Sequence, residues 1–136
     1  MSTIKLALAS AALLATAGLA APALAAAPTA KLAEAPKAWL APSVGKHMVG
    51  VTVHTDRALK RRASGGVIGG VRLHGHVGSL SRLGSVRSHC YVGYVKDPQA
   101  RAGRKAVVQV YVTQGNRPHH DRTITIGGAA TEPDGC

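Results

Sequence analysis

Cys90 and Cys136 are the only cysteines in the chain; they stand 46 positions apart, and the second is the final residue of the sequence. In an oxidising compartment an even cysteine count reads as a disulfide, and a bridge of that span folds the C-terminal third back onto itself. By the chain-entropy argument, closing such a loop stabilises a fold by about 4 kcal/mol, a large share of what a small domain has to spare. The competing reading is two free thiols.

The compartment is inferred from residues 1–25. Lys5 supplies a positive start, Leu6 to Leu19 is apolar or small throughout, and Ala23-Leu24-Ala25 offers a small-x-small cleavage pattern. This is the pattern of a signal peptide. The apolar run falls short of the roughly 20 residues that span a bilayer, and no later segment approaches that length, so no transmembrane segment is expected in the mature chain. The expected location is periplasmic or extracellular.

Removal of Lys5 leaves the formal net charge of +11 only one unit lower. Between Lys37 and Lys105, thirteen Lys and Arg face only Asp56 and Asp97, so the middle of the chain projects a positive field toward acidic partners. Residues 26–43 are rich in alanine and interrupted by Pro28, Pro36 and Pro42, which reads as a semi-extended linker. Residues 44–136 then form a single small basic domain. With no Phe and only Trp39, Tyr91, Tyr94 and Tyr111 as aromatics, its core must be built from aliphatic residues, a setting in which a disulfide matters.

The sharpest periodicity is in Lys105–Thr113, where Val108, Val110 and Val112 alternate with Gln109, Tyr111 and Thr113. Arg122–Ile126 alternates again, and the two should pair as an antiparallel hairpin across a long polar loop. Upstream, Met48–Thr55 puts Val49, Val51 and Val53 on one face. Val67–Val77 puts Val71, Leu73 and Val77 opposite Arg72, His74 and His76. Between them, Leu80, Leu83, Val86, Cys90, Tyr91 and Tyr94 fall within an arc of about 140° at 100° per residue, which predicts an amphipathic helix over 80–96, stopped by Asp97-Pro98. Gly84, Gly93, Val92 and Val95 oppose that helix, and Cys90–Val95 would also suit a short strand.

The fold class these elements predict is α+β: an amphipathic helix packed on a small antiparallel sheet, with one disulfide. The alternative is a small all-β barrel with strands near 47–55, 67–77, 90–96, 105–113 and 122–127.

Val86, Arg87, Cys90 and Tyr91, then Pro98, Gly103-Arg104, the valine strand Val107–Val112 and finally Cys136 follow one another in an order that resembles the TonB-like C-terminal domains of the AgmX/PglI type. That family occurs in bacterial envelope and motility-associated proteins, and the likeness covers about residues 80–136. It implies a helix on an antiparallel sheet, a disulfide joining the helix to the far end, and a binding or coupling role without catalysis.

Catalytic signatures are missing from the sequence itself. The acids are scattered, no Gly-x-Ser-x-Gly elbow occurs, and Ser64-Gly65-Gly66 and Val67-Ile68-Gly69-Gly70 lack the strand and helix context of a phosphate cradle. A non-enzymatic module without a cofactor is therefore expected. His74 and His76, and secondarily His119 and His120, are the candidates for metal, but no Cys-x-x-Cys or His-Glu-x-x-His spacing accompanies them, which favours adventitious binding over a built site.

Polyanion binding is the alternative function, through Lys60, Arg61, Arg62, Arg72, Arg82, Arg104 and Lys105, with Arg87 and Arg101 nearby. Too few aromatics accompany these cations for sequence-specific nucleic-acid recognition. The expected partner is an envelope protein or an acidic polymer, the latter including nucleic acid and anionic lipid.

Overall fold

The computed structural model describes residues 29–114, 118–133 and 135–136. The expected signal peptide, residues 1–25, lies outside them. Strands run Lys37–Leu40 (β1), Met48–His54 (β2), Gly70–Leu73 (β3), His76–Arg82 (β4), Cys90–Lys96 (β5), Lys105–Tyr111 (β6) and His119–Ala129 (β7), with a 3-10 turn at Val86–Ser88. They close a barrel in the order β1-β2-β5-β4-β3-β6-β7. Every neighbouring pair is antiparallel except β1 with β7, whose short parallel ladder forms the seam.

The α+β expectation is corrected by this architecture: among the described residues there is no α-helix, and the all-β barrel is the fold adopted. The apolar arc over 80–96 belongs instead to the end of β4, a turn and β5. Gly84 sits at φ +79° and His89 at φ 51°, backbone that no α-helix accepts, and they turn the chain between the two strands. β5 is buried on both faces, and its apolar run, joined through this turn to the end of β4, imitates the apolar face of a helix. The disulfide expectation holds: Cys90 and Cys136 are bonded, their Cα atoms 5.8 Å apart, although Cys90 opens a strand rather than lying on a helix.

Inward positions follow the ladder. Val49, Val51 and Val53 of β2 face Val95, Gly93 and Tyr91 of β5, and Val71 and Leu73 of β3 face Val110 and Val108 of β6. These side chains, with Ile126, are almost wholly excluded from water and form one aliphatic core. Tyr91 is the aromatic in that interior, and its hydroxyl accepts a hydrogen bond from the Leu59 amide at 3.0 Å. Gly93 keeps the interior closed, because a Cβ there would press on the side chains of Val71 and Leu80.

Two segments depart from the expected boundaries. Lys37–Leu40, inside the stretch read as a linker, is β1, and its Trp39 is 2% exposed against Gly50 and Tyr94 on the outside of the barrel. Val67–Val77, read as one strand, is a hairpin. His74 (φ 48°) and Gly75 (φ 82°) form its two-residue turn, the left-handed pair that a tight hairpin of this hand requires. His74 and His76 therefore do not share one face of one strand.

Candidate anion-binding groove

The His74-Gly75 turn lies beside the loop that leaves β5, and this meeting builds a cleft. Asp97 follows β5 directly and is buried, with its side chain fully excluded from solvent. Its Oδ2 accepts the Nδ1–H of His74 at 2.5 Å, and its Oδ1 accepts the Gln99 amide at 2.9 Å. The second hydrogen bond is an Asx turn, which the Asp-Pro pair favours locally. With Nδ1 engaged, Nε2 is the free nitrogen of the imidazole.

The rest of the loop is equally fixed. Arg101 donates from Nη1 to the carbonyls of Pro98 and Ala100 at 2.7 and 2.8 Å, the Gly103 amide donates to Ile126 at 2.8 Å, and the Ile126 amide donates to Arg104 at 2.9 Å. The loop is thereby clamped onto β7, and Arg101, Arg104 and Lys105 are delivered to the rim of a cavity of about 460 Å³ that also contains His74 and Gln99. A second depression of about 430 Å³ shares His74 and Lys105 with the first and adds Arg72, Val107 and Gln109.

Arg72 projects from the outer face of β3, opposite Gln109 of β6 and Val77 of β4. Its guanidinium carbon stands 5.5 Å from the centre of the Tyr111 ring, a cation–π contact, and Tyr111 donates its hydroxyl to Gln109 Oε1 at 3.0 Å. Arg72 Nε is buried without a hydrogen-bond partner. A buried donor in that condition costs free energy unless a bound group accepts from it.

Of the cations singled out in the sequence, Arg72, Arg104 and Lys105 meet in this groove, joined by Arg101. Lys60, Arg61 and Arg62 occupy the exposed loop between β2 and β3. Arg61 donates to the Gly65 carbonyl and Arg62 to the Val67 carbonyl, each at 3.3 Å, and Arg62 lines a third depression on the same side of the barrel. Arg82 sits at the other end of β4, away from the groove.

The candidate metal ligands are dispersed. His74 is bonded to Asp97, His119 donates to Asp121 at 2.5 Å, and His120 donates to the Ala30 carbonyl at 3.3 Å. No cluster of three or more His, Cys, Asp or Glu side chains occurs among the described residues.

Sequence reasoning set His74 beside Arg72 on a basic face only under the barrel alternative, and did not place Asp97 or Gln99 in an anion site. Asp97-Pro98 read only as a stop, and 23 residues separate His74 from its carboxylate. The local clue was the Asx-turn chemistry of Asp97, which fixes the carboxylate without naming its partner.

Chemically, the groove can bind acidic groups through several N–H donors and can orient one imidazole. Among the described residues its lining contains no hydroxyl or thiol nucleophile. No protein-family model matches the chain, and no curated protein or solved structure matches it.

Proposed function

We propose that this chain is a non-enzymatic binding module, exported to the cell envelope, that holds the acidic groups of a polymer in the groove around His74. The observation that carries the reading is the convergence of Arg72 from β3 with Arg101, Arg104 and Lys105 from the loop leading into β6, two separate stretches of chain, onto one groove. Asp97, which holds His74, is turned inward and is itself wholly buried, and Asp121, across from Gln109, is paired with His119. Cations scattered only for solubility have no reason to gather on a rim held by a clamped loop.

The reading is tested with immobilised heparin, a generic polyanion, across a salt series. Affinity should fall steeply as salt rises, because each neutralised anionic group releases counterions. The double reversal R104E/K105E should weaken binding at least about tenfold, or about 1.4 kcal/mol, whereas K46E/R87E, which changes net charge equally elsewhere, should cost under about threefold. Equal losses from the two variants would reduce the groove to net charge alone. Retention indifferent to salt would favour an envelope protein as the partner.

A further inference from the structure

The groove does not end at Gln109. The third depression, lined by Arg62, Gly70, Val77, Ser79 and Tyr111, lies on the outside of the same three strands, β4, β3 and β6. The Arg72–Tyr111 stack divides it from the second, with Arg72 on one side and Tyr111 on the other. The three depressions therefore follow β6 from Lys105 to Tyr111, about 20 Å at roughly 3.3 Å per residue. Cations mark the whole path: Arg101, Arg104 and Lys105 at one end, Arg72 in the middle, Arg62 at the other.

Three features select the polymer. Val107 and Val77 are 50% and 59% exposed on this face, between the cations rather than apart from them, so the ligand should present apolar surface between its charges. Tyr111 is only 5% exposed, covered by Arg72 and met by the His119 ring at 5.4 Å, which leaves no open aromatic face on the path for a nucleobase to stack upon. Gly70 and Ser79 are cross-strand partners with almost no side chain, giving the third depression a bare floor that admits a ring. Arginine forks at Arg62, Arg72 and Arg104 match carboxylates in planar, bidentate fashion.

Resting on the anion-binding reading above, we infer that the outer face of β4, β3 and β6 is a linear track for an acidic polysaccharide, whose carboxylates meet Arg104, Arg72 and Arg62 in turn while its C–H faces lie on Val107 and Val77.

The test is a length series of oligogalacturonates titrated onto the disulfide-intact mature chain, with oligo-dT and inorganic polyphosphate of matched charge as comparisons. Affinity should climb with oligomer length until the ligand spans about 20 Å and then level off. Arg62→Ala, an exposed position, should weaken the long oligomers about threefold to fivefold and leave the shortest unchanged, as expected for one exposed ion pair. Binding of the short acids with no gain from length would overturn the track and leave the groove standing. Failure of every oligomer, and of heparin with them, would overturn both. Tighter, length-dependent binding of oligo-dT or polyphosphate would overturn the polysaccharide assignment, and the wild-type series alone decides these outcomes should the variant fold poorly.

Discussion

Asp97 is the residue on which the groove turns. It is buried, its two oxygens hold His74 and the Gln99 amide, and its own amide donates to the His47 carbonyl at 2.8 Å. Truncation leaves two donors without partners inside the protein, so Asp97→Ala should cost about 2 kcal/mol in urea denaturation and loosen the β3–β4 turn. Asp56 offers a pH signature at the same scale. Its carboxyl is held below the ordinary value of 3.8, first by the hydrogen bond from the Lys31 amide, at 2.8 Å, and then by the neighbouring Arg57. A depressed carboxyl stabilises the fold in full above its unfolded value, and the contribution disappears as pH falls through the lower folded value. The difference in thermal midpoint between wild type and Asp56→Asn should therefore be constant near neutrality and shrink on acidification below 3.8. Gly50 is the residue beneath Trp39, and any Cβ there would overlap the indole. Gly50→Ala should destabilise by about 1–3 kcal/mol and perturb tryptophan fluorescence.

Among the elements, β2 and β6 were legible because valines alternate on a face that packs inward, and the β6–β7 hairpin followed from its two alternating arms. The segment 80–96 was misleading for a physical reason. Thr52 of β2 and Val92 of β5 are cross-strand partners on the outer face, yet both are buried, because the cluster of Trp39, Ala41 and Val92 covers that side of the barrel. A strand buried on both faces loses the polar alternation that identifies it, and what remained was an apolar arc. β1 was hidden for the opposite reason, since Lys37–Leu40 is too short to show a period and stands among prolines. The β3–β4 turn carried a sequence signal, the His-Gly pair, that a reading of one continuous strand passed over. Gly75→Ala should shift the turn at φ 82° and destabilise by about 1 kcal/mol or more, with heparin affinity falling as His74 moves.

For the whole molecule, the bond between Cys90 and Cys136 encloses β5, β6 and β7 in one covalent loop. The pair was visible in the sequence. What it joins was not, because the register of β5 against β2 is a property of the closed barrel. Cys90→Ser with Cys136→Ser should lower unfolding stability by about 4 kcal/mol on chain-entropy grounds, measured as the shift in denaturation midpoint at unchanged m-value. Cys90 opens β5, whereas the groove is built beyond that strand's other end, where Asp97 holds His74, so short-acid affinity in the variant should be preserved wherever it remains folded.

The C-terminal tail gives that bond a further meaning. After β7 the Ala130 amide donates to the Leu40 carbonyl, Lys37 Nζ donates to the Gly135 carbonyl at 3.2 Å, and Cys136 is joined to β5. The tail thus doubles back along β1, over the seam where the barrel closes through a short parallel ladder. In a cooper's terms β1 is the loose stave and the tail is the hoop. A reductant cuts the hoop without touching a stave, and amide exchange should then quicken first at Lys37–Leu40, the stave along which the tail lies.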